Sequence, residues 1–243
     1  MKINMKKLGF TLSEVLLTLT IIGVVGAIVV PVVSTTHSKV ERTAKVKKVY
    51  EILQSAALTA VGNDGDLLAA TTSKSDAAGI KTWFNNILKP YIVTQRICDD
   101  SHYGCWNDDK TLSLSGNNYS DTVTVQKGKG IGGYIVSAVL NDGTFISANI
   151  WDKDTASQSF TGRNADIASG VLPNPVIIHF DINGNKGPNT VGEDIFIVYW
   201  DANKSEFVPA YTGASSADIS HYCDSSFNSF YSGASCIQKY LKN

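Results

Sequence analysis

Glu14 is the residue of this chain whose chemistry is most unusual for its surroundings. It lies inside an apolar run of 24 residues, from Phe10 to Val33, that contains no other ionisable side chain. A carboxylate near the middle of a bilayer costs about 2.5 to 3.5 kcal/mol unless a partner compensates its charge. We therefore expect Glu14 either to pair with a cation or to reach water among the lipid headgroups.

A cation for Glu14 could come from a chain terminus. No Lys, Arg or His lies between Phe10 and Val33, but cleavage after Gly9 would create an α-ammonium group on Phe10. That group would lie one helical turn from Glu14, at the i, i+4 spacing at which groups on a helix meet. The amine of a neighbouring subunit would serve equally well, and such a pair would fix the axial stagger between two chains.

Oxygen-bearing side chains recur at alternate positions in a second segment, between two predicted strands. Asp181, Asn183 and Asn185 could converge on a Ca²⁺ ion, with Glu193 or Asp194 completing the charge. The segment is not an EF-hand loop, since its sixth position is lysine and its twelfth is glycine. The same residues could instead form a metal-free turn capped by their own side chains. Ca²⁺ is thus a possible cofactor, and no cofactor is required.

The four cysteines form two close pairs. Six residues separate Cys98 from Cys105, and twelve separate Cys223 from Cys236, so sequential pairing closes short loops at low entropic cost. Two other pairings are open to four cysteines, and four free thiols in a reducing compartment are a further alternative. We favour the disulfides Cys98–Cys105 and Cys223–Cys236, and with them an oxidising compartment.

A helix that spans a membrane must position Glu14. The apolar run would reach about 36 Å as a helix, at ~1.5 Å per residue, whereas a hydrocarbon core is roughly 30 Å thick. No Ala-x-Ala pattern of an ordinary secretory signal peptide follows Pro31. Gly23 and Ala27 form a small-xxx-small face that lets helices approach closely, and Pro31 removes a backbone hydrogen bond near the end of the run.

The segment KKLGFTLSE, which ends at Glu14, resembles the prepilin peptidase site of type IV pilins and type II secretion pseudopilins. In that family a membrane aspartyl peptidase cuts after the glycine and methylates the new N-terminal phenylalanine, which implies processing at Gly9 and Phe10. Gly23 and Pro31 match the habitual glycine and the helix-kinking proline of the family. The resemblance implies that Glu14, Gly23 and Pro31 serve assembly.

The resemblance also implies a function, a location and a set of partners. The chain would be a structural subunit of a type II secretion pseudopilus or a type IV pilus, and not an enzyme. It would cross the bacterial inner membrane once, with its head in the periplasm or on an extracellular filament. Its partners would be itself and other pilins or pseudopilins, the prepilin peptidase, the inner-membrane assembly platform and membrane lipid. Calcium-stabilised pseudopilins carry a loop similar to residues 181–194.

Four regions are predicted along the chain. Residues 1–9 form a cytoplasmic leader, and residues 10–33 form a transmembrane and polymerisation helix. In residues 34–61 apolar side chains recur with a period near 3.6, which predicts an amphipathic continuation of the same helix. The members of that apolar stripe are Val40, Ala44, Val49, Leu53, Ala56 and Ala60. Residues 62–243 form one globular head.

The head contains β-branched and aromatic segments that are typical of strands, and Asn141-Asp142-Gly143 between two of them is typical of a hairpin turn. The predicted strands are Thr122–Val125, Tyr134–Leu140, Thr144–Trp151, Val176–Phe180 and Ile195–Trp200. A short helix is predicted from Gly79 to Leu88. The expected fold class is α+β and pilin-like, with a long N-terminal helix packed on an antiparallel β-sheet head.

Composition and motifs argue against other classes of function. Three of the 21 Lys and Arg residues precede Gly9, so a chain that begins at Phe10 keeps 18 basic and 22 acidic residues, a net charge of −4. No nucleic acid partner is therefore expected, although a DNA-uptake pilin is an alternative. No HExxH, GxSxG or Walker motif occurs. An extracytoplasmic binding or enzymatic domain tethered by an uncleaved helix is the other alternative.

Overall fold

The structure of the chain is a computed structural model. It describes residues 11–64, 77–98, 104–106, 111–117, 135–150, 176–201, 204–229 and 231–242. The chain divides into two compact units, Met1–Glu41 and Arg42–Asn243. This division does not test the predicted boundaries after residues 9, 33 and 61, which stay predictions.

In the first unit the described residues belong to the start of a long helix. Helix α1 runs from Leu12 to Asp64 and is α-helical through Pro31. Within the described part of the chain, α1 is the one helix that is long and apolar enough to cross a membrane. The 18-residue window that meets this test is Leu12–Val29, and none of it is buried. Its exposed leucine, isoleucine and valine side chains give it the surface of a helix that faces lipid or other helices.

In the second unit the rest of α1 lays one face on the core of the head. Its buried residues are Val46, Val49, Leu53, Ala56, Ala57 and Ala60. They recur at helical intervals and share one side of the helix. The predicted stripe is confirmed from Val49 to Ala60 and is wrong at Val40 and Ala44, which are exposed. At about 100° per residue Ala44 points away from the side of Val46, and Val40 belongs to the first unit.

The core of the head is a six-stranded sheet in which each strand pairs antiparallel with the next one in sequence. The strands are β1 Thr94–Cys98, β2 Ile135–Leu140, β3 Phe145–Ile150, β4 Val176–Asp181, β5 Ile195–Asp201 and β6 Glu206–Pro209. Trp83 meets Trp200 and Phe207 edge to face, with ring centroids 6.0 and 6.2 Å apart. The predicted α+β, pilin-like fold, with an N-terminal apolar helix and an antiparallel sheet, is confirmed.

The turn between β2 and β3 is the hairpin that Asn141-Asp142-Gly143 predicts. Gly143 N donates to Leu140 O at 3.0 Å. Gly143 has φ +86°, a conformation that glycine adopts without steric cost. Lys48 of α1 forms an ion pair with Asp142 at 2.7 Å, which connects this turn to the helix.

The structure differs from the sequence prediction in its smaller elements. The sequence pattern does not predict β1, β6, or the short helices α3 Ser216–Tyr222 and α4 Ile237–Lys242. The two helices have seven and six residues, about two turns each, which is too short to show a helical period. The strands β1 and β6 have five and four residues and lie at the two edges of the sheet. The helix predicted at Gly79–Leu88 is α2 Ala77–Trp83 followed by a π-helical turn, Phe84–Leu88. The predicted strand at residues 122–125 lies outside the described residues.

Side chains of α1 close the outer edge of β6. The amide of Gln54 donates to Phe207 O at 2.6 Å and accepts from Phe207 N at 3.0 Å, which reproduces the pair of hydrogen bonds that another strand would make. Tyr50 Oη also donates to Phe207 O, at 2.9 Å. An edge strand otherwise presents its backbone groups to solvent or to other chains, so this clamp protects β6 and holds the helix on the sheet.

Replacing Gln54 with leucine removes two hydrogen bonds from Phe207, a buried residue, and leaves its N–H unpaired. We expect the free energy of unfolding to fall by about 1 to 3 kcal/mol, measured by urea denaturation of the full chain in detergent. Thr59→Ala is the control, because Thr59 is an exposed residue of the same helix whose hydroxyl donates to the Ser55 carbonyl. It should lower the free energy of unfolding by less than about 0.5 kcal/mol. Equal effects would contradict the clamp.

Candidate functional site

The start of α1 holds Glu14 in a capping box. Thr11 donates to Glu14 Oε2 from both its backbone N–H and its hydroxyl, each at 2.8 Å, and Glu14 N donates back to Thr11 Oγ1 at 3.3 Å. This is the reciprocal arrangement of a Thr-x-x-Glu helix start. It turns the carboxylate toward the N-terminal end of the helix, where Phe10 precedes Thr11. Gly9 and Phe10 lie outside the described residues, so their processing stays a prediction.

Thr11 is not among the residues that the sequence analysis singles out. The pattern Thr-x-x-Glu immediately before an apolar run is the signal that identifies it. Two other hydroxyl groups of the apolar window, on Thr18 and Thr20, donate to carbonyls of their own helix at 2.9 and 2.8 Å. Because these hydroxyls are satisfied locally, the charge of Glu14 is the polar feature of the window that calls for a partner.

Gly23 and Pro31, the other residues predicted to serve assembly, lie in the same helix. A Cβ added at Gly23 would meet nothing within 4 Å, and Ala27 one turn further is exposed. The small-residue face of Gly23 and Ala27 is therefore open to another helix. The roles of Gly23 and Pro31 in assembly stay predictions.

The second candidate site is the stretch from Asp181 to Asp194 that joins β4 to β5, called the 181–194 loop. Asp181 Oδ1 accepts from the backbone N–H groups of Asn183 and Gly184, at 3.0 Å each. Asp181 Oδ2 is buried without a hydrogen-bond partner among the described residues, and the same is true of Asn183 Oδ1. Buried oxygen atoms without a donor are uncommon in folded proteins, and these two atoms can accept a further hydrogen bond or bind a cation.

Asp194 holds the opposite end of the loop. Its carboxylate accepts from Asn189 N at 2.8 Å, from Thr190 N at 2.6 Å and from Asn183 Nδ2 at 3.1 Å. The backbone of Asn183 contacts Asp181 while its side chain contacts Asp194. Asn183 therefore connects the two acidic residues.

Burial disfavours the charged form of both carboxyl groups. Burial, with a smaller contribution from the charge of Asp194, raises the pKa of Asp181 to about 8, against the opposing effect of its backbone hydrogen bonds. Burial also raises the pKa of Asp194. A bound cation would offset this effect, because it compensates negative charge where water cannot.

The 181–194 loop fits a calcium ion in its chemistry. Carboxylates, an amide oxygen and backbone carbonyls are the hard oxygen donors that Ca²⁺ takes. Asn185 is exposed and Glu193 is half-buried, and within the described residues no hydrogen bond joins either side chain to Asp181 or Asp194. Nor do three His, Cys, Asp or Glu side chains suited to a metal lie together in that part of the chain. Amide, backbone or water oxygens would therefore complete the shell.

The two disulfides of the structure follow the sequential pairing. Cys98 at the end of β1 bonds to Cys105. Cys223, just after α3, bonds to Cys236, just before α4. The second bond closes the segment of residues 223–236, called the C-terminal clasp.

Aromatic rings gather beside the C-terminal clasp. His221 and Phe227 are in contact, with ring centroids 3.8 Å apart, and Tyr222 lies 5.1 Å from Phe227. Tyr211 stacks on Tyr222 at 4.7 Å. Because His221 is exposed and Tyr222 and Phe227 are half-buried, the cluster is a partly solvent-facing aromatic surface.

The 181–194 loop and the C-terminal clasp touch through two glycines. Gly192 and Gly233 both have positive φ, +90° and +100°. A Cβ on Gly192 would lie 2.8 Å from Gly233 Cα and 2.9 Å from Cys236 Sγ, and a Cβ on Gly233 would overlap the Val191 carbonyl. No side chain fits at either position, so the two backbones pack directly on each other.

An apolar N-terminal helix whose first turn holds a capped glutamate, followed by an antiparallel sheet, is the α+β arrangement of a pilin-like fold. Residues 4–30 match the family described as the prokaryotic N-terminal methylation motif, which is the prepilin-type cleavage and methylation signal. Residues 4–30 therefore carry the N-terminal signal of prepilin-type proteins. Comparisons with curated proteins and with solved structures gave no match.

Gly233→Ala tests the contact between the loop and the clasp. We expect the free energy of unfolding to fall by about 2 to 5 kcal/mol, because the left-handed backbone costs an alanine about 1 to 2 kcal/mol and overpacking adds about 1 to 3 kcal/mol. Urea denaturation measures the change. Gly213→Ala is the matched control, since Gly213 has φ +83° but open space around it. Its free energy of unfolding should fall only by the cost of the left-handed backbone, about 1 to 2 kcal/mol. Similar losses at both positions would contradict the contact.

Proposed function

We propose that the chain is a structural subunit of a type II secretion pseudopilus or a type IV pilus. In this function prepilin peptidase cuts after Gly9 and methylates Phe10, and the mature chain assembles through α1. The match of residues 4–30 to the N-terminal methylation motif supports the processing step. Proteins with this motif are in general structural and not enzymatic, and we propose no catalytic role for this one.

The apolar part of α1 is the observation that carries the proposal. None of the window Leu12–Val29 is buried within the chain. Apolar surface in contact with water costs about 25 cal/mol per Å², so lipid or other helices must cover it. A membrane covers the helix before assembly, and the helices of neighbouring subunits cover it in a filament.

Glu14 gives that assembly its register. Its Oε2 is held by Thr11, and no contact within the described residues reaches Oε1, so one oxygen is open to a cation. The α-ammonium group of Phe10, from the same chain or from a neighbour, can pair with it. A pair between neighbours favours one axial stagger, because an unpaired carboxylate in hydrocarbon costs about 2.5 to 3.5 kcal/mol.

The proposed location is the bacterial inner membrane, crossed once, with the head in the periplasm or on an extracellular filament. Two disulfides support an oxidising compartment for the head. The proposed partners are further copies of this chain, other pilins or pseudopilins, the prepilin peptidase, the assembly platform of the inner membrane and membrane lipid. No nucleic acid partner is proposed, since a chain that begins at Phe10 is acidic overall.

Glu14→Gln tests the proposal in cells that assemble the filament. By intact-mass and N-terminal analysis, we expect both the wild type and the variant to begin at an N-methylated Phe10. The yield of sheared filaments should fall at least about tenfold in the variant. The reason is that glutamine keeps an acceptor for Thr11 but removes the charge that pairs with the α-ammonium group.

Thr18→Val is the matched control for Glu14→Gln. It removes a polar group from the same helix, but one whose hydroxyl already donates to a carbonyl of that helix, so processing and filament yield should be unchanged. A native protein that still begins at Met1 without methylation would overturn the processing step. Normal filaments from Glu14→Gln would overturn the charge pairing and favour a tethered ectodomain.

We further propose that the 181–194 loop binds Ca²⁺ through Asp181, Asn183 and Asp194. The support is the pair of buried carboxylates together with the two oxygen atoms that find no donor in the described part of the chain. Asn185 and Glu193, which the sequence also suggests, would have to turn inward to join them. The ion would stabilise the head and would take no part in a reaction.

Calcium should stabilise the full chain in detergent against thermal unfolding. At a free Ca²⁺ concentration of 100 times Kd, binding to the folded state adds about 2.7 kcal/mol. Asp181→Asn should abolish this response. In chelator, however, the variant should be at least as stable as the wild type, because asparagine still accepts from Asn183 and Gly184 without a buried acid.

Asp142→Asn is the matched acid-to-amide control for Asp181→Asn. Asp142 lies in the neighbouring β2–β3 turn, where its carboxylate pairs with Lys48, and its variant should keep the full calcium response. A calcium response in Asp181→Asn equal to that of the wild type, or none in the wild type, would refute the proposed site.

A further inference from the structure

The second half of the 181–194 loop, from Asn189 to Asp194, takes its shape from one carboxylate. Asp194 accepts from Asn189 N and Thr190 N at 2.8 and 2.6 Å, and Glu193 N donates to Thr190 O at 3.0 Å. This half of the loop is called the 189–194 limb. The residue proposed to hold the cation therefore also holds the backbone of the limb.

The segment around Leu112 bonds the 189–194 limb on one side and the C-terminal clasp on the other. Leu112 N donates to Asn189 O at 2.9 Å, and Val191 N donates to Leu112 O at 2.8 Å. Two residues further, Leu114 N donates to Ser232 O at 2.9 Å. The limb, this segment and the clasp thus form one hydrogen-bonded layer.

The limb also covers the clasp disulfide directly. Gly192 packs on Gly233 and on Cys236 Sγ, with no space for a Cβ. Cys236 is almost completely buried. Cys223 is half-buried, whereas a reductant in solution reaches the Cys236 sulfur only when the limb or the clasp opens.

On its other side the clasp holds α3 and the aromatic surface. Gly233 N donates to Tyr222 O at 2.7 Å, and Ser235 Oγ donates to Ile219 O at 2.7 Å. Tyr222 is the last residue of α3 and a member of the aromatic cluster. Opening of the clasp would therefore release the end of α3 together with the aromatic surface.

A bound cation would join the two ends of the loop at the base of the limb. Asp181 and Asp194 are both buried, and Asn183 contacts each of them. An ion held by both carboxylates would fix the position of the Asp194 carboxylate, which accepts from Asn189 N and Thr190 N. Through these two hydrogen bonds the ion would also fix the backbone of the limb.

We propose that cation binding at the 181–194 loop controls how firmly the C-terminal clasp, and with it the aromatic surface of His221, Tyr222 and Phe227, is held on the head. This inference rests on the calcium site proposed for the same loop. It makes the surface beside the clasp dependent on the calcium concentration around the head, although no residue of that surface contacts the ion.

The two disulfides of one chain provide the test. The full chain in detergent is treated with a phosphine reductant, with Ca²⁺ or with chelator, and the free thiols are alkylated and counted at each cysteine by mass spectrometry. At a free Ca²⁺ concentration of 100 times Kd, we expect reduction of Cys223–Cys236 to slow about 100-fold, because each opening must first release the ion. Reduction of Cys98–Cys105, the internal control, should change less than about threefold.

Coupling between two sites is reciprocal, which supplies a second measurement. Replacing Cys223 and Cys236 together with serine should weaken Ca²⁺ binding by about tenfold in calorimetry on the full chain. Replacing Cys98 and Cys105 together with serine is the matched control and should leave the affinity unchanged.

The outcomes separate the coupling from the calcium site itself. Ca²⁺ binding without selective protection of Cys223–Cys236 would overturn the coupling and leave the site standing. Absence of Ca²⁺ binding by calorimetry would overturn both. Because the reduction experiment uses the wild-type chain, a serine variant that fails to fold does not affect that decision.

Discussion

An apolar helix surface that its own chain leaves uncovered is the constraint on which the rest of this protein depends. No residue of the window Leu12–Val29 is buried within the chain, so the first half of α1 is stable only in lipid or against other helices. Within that surface Thr11 holds Glu14 at the start of the helix. The one charged side chain of the window therefore has a defined position along the helix axis. In the proposed filament, packing between neighbouring helices replaces contact with lipid, and pairing of Glu14 with an α-ammonium group selects one register.

The second half of α1 differs from the first, because its apolar face is buried in the core of the head. Small and β-branched side chains from Val46 to Ala60 face the sheet, and Gln54 takes the place of a seventh strand at the edge of β6. The head therefore cannot release this half of the helix without exposing its core and an edge strand. The same helix α1 therefore contains the apolar window and contributes to the core of the head.

The 189–194 limb and the C-terminal clasp combine polar and backbone contacts with buried apolar residues such as Val191 and Ala234. Asp194 orders the 189–194 limb through two backbone N–H groups, and Gly192 brings that limb onto Gly233 and the clasp. In the proposed coupling, the strength of these contacts also depends on charge compensation at Asp181 and Asp194.

Local periodicity was enough to predict the apolar helix, the position of Glu14, the β2–β3 hairpin and four of the six strands, because each depends on residues that are neighbours in the chain. The short edge strands β1 and β6 lack such a pattern and exist because the sheet supplies their partners. The sequence alone determined which segments are apolar and where the one charge among them lies. Only the tertiary structure decided that Asp181 and Asp194 are buried together and that Gly192 packs on Gly233, since these contacts join residues distant in sequence and depend on the path of the chain between them.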